Sequence, residues 1–340
     1  MNKKRLGRTG LMVTENSFGA LPIQRLAVQD AASLLRAAYD AGINFFDTAH
    51  GYTDSEEKIG VALADVRDDI YIATKAPAKT RAGVLEQAAL SLQRMKTDHV
   101  DLLQLHNIGA LPDVNDPESA HHGLLQAREA GMCRFIGITT HRLDVALAAA
   151  KSGLYDTVQF PLSYLSTDED LALIDVCAEH DVGLIAMKAL AGGLISSPEA
   201  AFAFFADKAA VPIWGIQKPS ELDDFLRCAQ GGVTMNDTLR EAVARDRAAL
   251  TVNFCRGCGY CAPCPAGIDI SLAARMTLML NRAPWREFTT PAHREMMARV
   301  DNCIHCDACK RRCPYQLDCP TLVRENYDYF KRFVAEKDAE

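Results

Sequence analysis

The sequence predicts an α/β protein: a (β/α)8 barrel of the TIM type, followed by a small, mainly helical domain rich in cysteine. Three observations predict it. Residues 13–216 alternate short apolar runs with amphipathic stretches. Eight such apolar runs occur, and eight strands with interleaved helices suit a closed barrel better than an open sheet. Nine of the twelve cysteines then crowd between positions 255 and 319.

The candidate strands are Val13–Ala20, Asn44–Thr48, Ile70–Lys75, Val100–His106, Arg134–Thr139, Thr157–Pro161, Gly183–Leu190 and Val211–Ile216. They are apolar throughout rather than alternating, as strands of a parallel sheet buried on both faces are. Helices are expected over Gln29–Ala41, Ala82–Met95, Glu118–Ala130, Leu143–Lys151, Asp168–His180 and Glu221–Ala229. Gly42, Gly131, Gly153 and Gly183 follow helix ends, and Thr167 or Asp168 is a good N-cap. Arg5–Met12 is expected in a hairpin under the barrel floor. Residues 231–250 read as a helical connector, with Leu239, Val243 and Leu250 on one face. Past 251, Pro263, Pro265, Pro314 and Pro320 punctuate the cysteines, and helices are expected near Ser271–Leu280 and Ala292–Arg299. The domain reading is 1–230 barrel, 231–250 connector, 251–325 cysteine domain, and 326–340 a charged tail expected to fray.

Composition narrows the function classes. The chain has 340 residues, 49% hydrophobic and 24% charged, enough for a large core. A net charge of −7 argues against nucleic acid as a partner. No apolar run is long enough for membrane insertion, and no apolar segment follows the basic start, so a cytoplasmic protein is expected. A Gly-x-Gly-x-x-Gly after a strand is missing, which removes the main support for a Rossmann domain.

Chemistry in a (β/α)8 barrel sits at the C-terminal ends of the strands. Here those ends carry Asp47 and, five residues on, Tyr52, then Lys75, then His106. Alone, each has an ordinary structural explanation; together on one rim they make a site. A lysine cation stabilises a phenolate and lowers the tyrosine pKa from about 10. A carboxylate keeps that lysine charged and placed. A histidine on the adjoining strand can hydrogen-bond a carbonyl oxygen, so the set can protonate a carbonyl as it receives a hydride.

The string Phe46-Asp47-Thr48-Ala49-His50-Gly51-Tyr52, then Ser55-Glu56, Thr74-Lys75 and Leu105-His106, resembles the aldo/keto reductase family over about residues 4–230. That resemblance implies Tyr52 as general acid/base, Lys75 as its pKa modifier, Asp47 as the anchor of Lys75, and His106 as the group that orients and polarises the carbonyl. It implies NADP or NAD as cofactor and a small carbonyl or alcohol as substrate. For the nicotinamide it implies Thr139 and Gln159, with Met187 and Lys188 in the segment that carries a stacking aromatic in many members. Thr140 departs from the family's asparagine. For the adenosine phosphate it implies the segment with Gly215, Gln217, Lys218 and Glu221. Lys218 attracts a 2′-phosphate and Glu221 repels one, so both cofactors stay open, with family habit leaning to NADPH. Rim position makes Ile23, Gln24, His50, Asn107 and Ile108 the pocket candidates.

The cysteines form two runs: Cys255, Cys258, Cys261 and Cys264 before Pro265, and Cys303, Cys306, Cys309 and Cys313 before Pro314. Without an export signal, such spacing points to metal or iron–sulfur ligation rather than disulfides. Paired CxxC motifs also build zinc sites. Two runs of four, each ending in Cys-Pro, favour two 4Fe–4S clusters. The second run resembles the bacterial ferredoxin run, whose last cysteine serves the other cluster. By that resemblance one cluster takes Cys255, Cys258, Cys261 and Cys313, and the other takes Cys303, Cys306, Cys309 and Cys264. Pairing within each run is the alternative. Cys319 is a ninth cysteine, a spare or a replacement ligand, while Cys133, Cys177 and Cys228 read as buried thiols. Some aldo/keto reductases carry a similar ferredoxin-like iron–sulfur tail.

The function expected is therefore an NAD(P)H-dependent oxidoreductase for aldehydes, ketones or alcohols, with clusters for electron transfer or support. The alternative is a redox-partner protein whose barrel binds a ligand without hydride chemistry. A ferredoxin, flavodoxin or other redox partner is one expectation; Lys310, Arg311 and Arg312 read first as ordinary solvated charge beside Cys313, with docking of an acidic partner as the alternative.

Overall fold

A computed structural model describes the backbone of the chain except residues 192–194, 196, 251–254, 283, 314 and 340; the side chains of 249, 250 and 282 also lie outside the described residues. Pro314 and the Leu250 side chain, both singled out above, fall among these. The chain divides into two compact units, Met1–Arg245 and Asp246–Glu340.

The first unit opens with a hairpin of β1 (Lys3–Arg5) and β2 (Met12–Thr14). Eight parallel strands then close a barrel: β3 (Ser17–Gly19), β4 (Phe45–Asp47), β5 (Tyr71–Ala76), β6 (Val100–Leu105), β7 (Cys133–Thr139), β8 (Thr157–Pro161), β9 (Gly183–Met187) and β10 (Val211–Gly215), with β10 paired to β3. One α-helix follows each strand: α1 (Val28–Asp40), α2 (Ser55–Leu63), α3 (Arg81–Met95), α4 (Ala120–Glu129), α5 (Leu143–Ser152), α6 (Asp168–Glu179), α7 (Pro198–Phe205) and α8 (Pro219–Gly231). Thr167 caps α6 in a capping box with Asp170.

The hairpin seals the barrel floor. Leu6, Leu11 and Val13 pack against Phe45, Ala73, Leu102, Ile185, Val211 and Ile213, which point down the barrel axis. The approach is close: a Cβ on Gly7 would stand 2.2 Å from the backbone of Gly183, and Gly7 also has φ +50°.

Three expectations need correction. Val13–Ala20 is not one strand. The Ser17 hydroxyl donates to the Thr14 carbonyl at 2.7 Å, and the turn so closed sends β2 to the floor and β3 into the barrel. The strand expected over Gly183–Leu190 stops at Met187, because Lys188 turns to φ +59°. Helices α2 and α7 were not expected. In α7 every residue from Ala200 to Phe205 is buried, so it has no polar face and no period to read.

The unit boundary falls within α9 (Asp237–Leu250), and the second unit continues with α10 (Ile270–Ala273), α11 (Met276–Arg282), α12 (Pro291–Ala298), α13 (Ala308–Arg312) and α14 (Cys319–Ala339). Ile268, Ile270, Met276, Leu280, Met297, Val300, Leu317, Val323, Tyr327 and Phe330 form its core. The frayed charged tail expected at 326–340 is instead the continuation of α14. Tyr327 and Phe330 are buried, and Arg294 pairs with Asp338 through two 2.7 Å contacts. No helix among the described residues is long and apolar enough to cross a membrane.

Candidate active site and cysteine clusters

The barrel topology gathers the rim residues. Asp47 ends β4, Lys75 is the penultimate residue of β5, and His106 directly follows β6. Tyr52 sits in the turn between β4 and α2. That turn is pinned by the Ser55 hydroxyl, which stands 2.9 Å from the Thr48 hydroxyl and donates to the Ala20 carbonyl at 3.1 Å.

Lys75 and Asp47 are 1% and 2% exposed and form an ion pair at 2.6 Å. The ammonium also donates to the Thr48 carbonyl, so two of its three N–H groups are used. Burial pushes Asp47 up and Lys75 down, and their mutual attraction opposes both shifts. Glu56, also buried, accepts the Thr74 hydroxyl at 2.6 Å and an Arg94 N–H at 3.3 Å, and its charge helps keep Lys75 protonated. Sequence reading quoted Glu56 in the motif but gave it no role.

The Tyr52 and His106 rings meet edge to face, with centroids 5.6 Å apart, and the Lys75 Nζ stands 5.2 Å from the Tyr52 ring centroid. Burial and the Asp47 charge push the Tyr52 hydroxyl well above its ordinary range. Burial and Lys75 hold His106 down to about 3. Tyr52 is therefore protonated and His106 neutral at physiological pH. The first can give a proton; the second can donate a hydrogen bond without carrying charge.

Thr139 and Gln159 are register partners on β7 and β8. The Thr139 hydroxyl accepts the Asn107 N–H at 2.7 Å, and the Thr140 hydroxyl donates to the Ile108 carbonyl at 2.8 Å, so both threonines also hold the loop after His106. Met187 ends β9, half-buried. The Lys188 Nζ lies 2.7 Å from His141 Nε2, and His141 Nδ1 lies 2.7 Å from Asn107 Oδ1. Gly215 ends β10. The Glu221 carboxylate accepts the N–H groups of Gln217 and Lys218 at 2.9 and 3.2 Å, so it caps α8. Arg25, which sequence reading passed over, donates to Gln217 Oε1 at 2.9 Å and ties the loop after β3 to the loop after β10.

The pocket candidates divide. Gln24, Asn107 and Ile108 lie on the rim. Ile23 is fully buried, its carbonyl taken by Lys58 at 3.0 Å. His50 turns toward α3, with Nδ1 3.3 Å from the Ser91 hydroxyl.

In the second unit Cys264, Cys303, Cys306 and Cys309 line one cavity of about 260 Å³, walled also by Ile268, Ile270, Val300 and Val323. Cys261 lines it too, and its thiol also feels Cys309. The Cys258 thiol is influenced by Cys255 and Cys313, and the Cys261 thiol by Cys255 and Cys258. The Cys319 thiol hydrogen-bonds Cys313, whose own thiol is held down to about 6. Among the described residues, no three Cys, His, Asp or Glu side chains converge on a single ion. Thiols spread round a cavity fit a cubane, whose irons each take one sulfur.

A sequence model of the aldo/keto reductase family matches residues 15–202. The chain belongs to the aldo/keto reductase family. A model of the 4Fe–4S dicluster domain matches residues 254–318, so this family member carries such a domain after its barrel. Among its relatives, the uncharacterised oxidoreductase YqkF of Bacillus subtilis is 30% identical over 212 residues, which are 58% of this chain and 67% of that protein. L-galactose dehydrogenase of Arabidopsis thaliana is 33% identical over 215 residues, 57% of this chain and 66% of that protein. The matches thus span about two thirds of each relative's length. Among solved structures, the holo form of aldo-keto reductase AKR11C1 from Bacillus halodurans superposes with a TM-score of 0.62 at 21% identity, covering 72% of this chain and 96% of that one. The Klebsiella pneumoniae aldo-keto reductase in complex with NADPH gives 0.61 at 19% identity, covering 72% and 94%. Both confirm the barrel fold.

Proposed function

We propose that this protein is an NAD(P)H-dependent carbonyl reductase, or alcohol dehydrogenase in reverse, that also holds two 4Fe–4S clusters. One observation carries the reading: a buried Lys75–Asp47 pair lies beneath a protonated Tyr52, with a neutral His106 against its ring. The bound nicotinamide supplies the hydride for the carbonyl carbon. Tyr52 gives its hydroxyl proton to the carbonyl oxygen, and the Lys75 cation stabilises the phenolate left behind. His106 orients that oxygen by hydrogen bonding. Thr139, Gln159, Met187 and Lys188 line the place for the nicotinamide, and Gly215, Gln217, Lys218 and Glu221 the place for the adenosine phosphate. The Glu221 carboxylate already occupies the start of α8, where a 2′-phosphate would seek the same N–H groups. This favours NADH.

For the clusters, the shared cavity supports the crossed allocation: Cys303, Cys306, Cys309 and Cys264 for one, and Cys255, Cys258, Cys261 and Cys313 for the other. A hydride moves two electrons and a cluster moves one, so direct exchange needs an intermediary such as a flavin. The clusters therefore serve a ferredoxin- or flavodoxin-like partner, or stability, in the cytoplasm.

The test is an anaerobic titration with NADH and with NADPH, following nicotinamide and cluster absorbance together, with and without a carbonyl substrate. Nicotinamide consumed only when a carbonyl is present supports the reading. Tyr52→Phe should then lower turnover between about 100- and 10,000-fold. Full turnover in that variant would refute Tyr52 as the proton donor.

A further inference from the structure

The barrel interior also holds Gln104, a buried glutamine with no role in the chemistry above, set against Gln159 of the nicotinamide place. Gln104 on β6 and Gln159 on β8 are 0% and 1% exposed. They lie on either side of β7, yet Gln104 Nε2 reaches Gln159 Oε1 at 3.0 Å. Gly137 sits between them, in register with both Gln104 and Thr157. A Cβ there would stand 2.1 Å from the Thr157 hydroxyl and 3.3 Å from Gln104 Cγ, so glycine keeps the crossing open.

The contact has a chemical consequence. A side-chain amide has one oxygen that accepts and one NH2 that donates. With its oxygen engaged by Gln104, Gln159 is left to turn its NH2 toward Asp47 Oδ1, 3.5 Å away. The opposite orientation would set an amide oxygen against a carboxylate oxygen. Lys75 is the main partner of Asp47 and uses the same oxygen, and Oδ2 has no hydrogen-bond partner among the described residues, so Gln159 is the one uncharged donor that reaches this carboxylate there.

We infer that Gln104 is a positioning residue: by holding the oxygen of Gln159 it turns the Gln159 amide to donate to Asp47, and so helps keep Asp47 ionised beneath Lys75 and Tyr52. The charged and titratable groups that face Asp47 are Lys75 from β5 and Tyr52 from the turn before α2. Glu56 from α2 and His106 after β6 act on it through Lys75. Without Gln104 the carboxyl is protonated at higher pH, and the cation beneath Tyr52 loses its anchor there.

The inference rests on the proposed function only for its kinetic readout, so the test has two arms. Gln104→Met keeps the volume and removes the donor. Gln104→Glu keeps the volume and supplies an acceptor, which draws the Gln159 NH2 away from Asp47. In the holoprotein, the acid limb of kcat/KM against pH should move upward by about one pH unit in Gln104→Met and further in Gln104→Glu. Independently of turnover, the denaturant midpoint of both variants should fall below wild type at pH 8, and the deficit should shrink toward pH 5. The sign follows because the unfavourable species is the ionised carboxylate, which acid removes. A purely structural role for Gln104 predicts a deficit that does not change with pH and an unmoved acid limb; that result overturns the inference. If wild type turns over no carbonyl, the proposed function fails, and the stability arm still decides the role of Gln104. If one variant does not fold, the other supplies both readouts.

Discussion

Tyr52 shows how burial divides the work among four side chains. Its hydroxyl is pushed up by burial and by Asp47, and Lys75, engaged by Asp47 and the Thr48 carbonyl, does not reverse this in the free protein. The protonated form therefore persists well above neutral pH. Carbonyl reduction should be flat from about pH 6 to pH 9, whereas alcohol oxidation, which needs the phenolate, should rise about tenfold per pH unit over the same range. Initial rates in both directions check this, and a reduction rate that falls from pH 7 to 9 would refute it. His106, held down to about 3, should contribute no break between pH 5 and 7. The four residues were legible in the sequence because a barrel places every strand end on one rim. The bond between Gln104 and Gln159 was not, since it spans a whole strand and depends on register and on the missing side chain of Gly137. Arg25 and Gln217 were likewise joined only by the closure of β10 onto β3.

Among the elements, the start of α8 governs cofactor choice. The N–H groups of Gln217 and Lys218, just before it, are satisfied by Glu221, and a second anion must compete with that carboxylate. Glu221→Gln should raise the NADPH/NADH ratio of kcat/KM about tenfold, as expected when one like charge is removed at close range. An unchanged ratio in steady-state assays would mean that the 2′-phosphate lies elsewhere. The floor hairpin is the other exposed dependency. Leu6 is 1% exposed and plugs the barrel from below, so Leu6→Ala should cost about 2–5 kcal/mol in a denaturant titration. These elements differed in legibility for physical reasons. Amphipathic α1 and α3 declared themselves by period. Uniformly buried α7 had none. The turn between β2 and β3 uses Thr14 and Ser17 hydroxyls rather than glycine or proline, and charge in α14 hid the spacing of Tyr327 and Phe330.

At the scale of the whole molecule, most of the aldo/keto reductase barrel and the 4Fe–4S domain fall in separate compact units, Met1–Arg245 and Asp246–Glu340, so the proposed hydride chemistry and cluster binding are apart. Stripping the clusters with an oxidant and a chelator should destabilise the second unit, since the cluster cysteines pack against its small core. Carbonyl turnover should stay within about twofold, because no one-electron step lies on the two-electron path. Turnover lost with the clusters and regained on their reconstitution would contradict that separation. The crossed allocation proposed for the sulfurs carries one more consequence, for biosynthesis. The cavity that takes Cys303, Cys306 and Cys309 also takes Cys264, while Cys313 stands with the first run. A nascent chain that has emerged only through Cys264 thus offers no complete set of four sulfurs to a scaffold delivering iron and sulfide. On that allocation both clusters wait until the second run has left the ribosome, by which time the whole barrel sequence has been made.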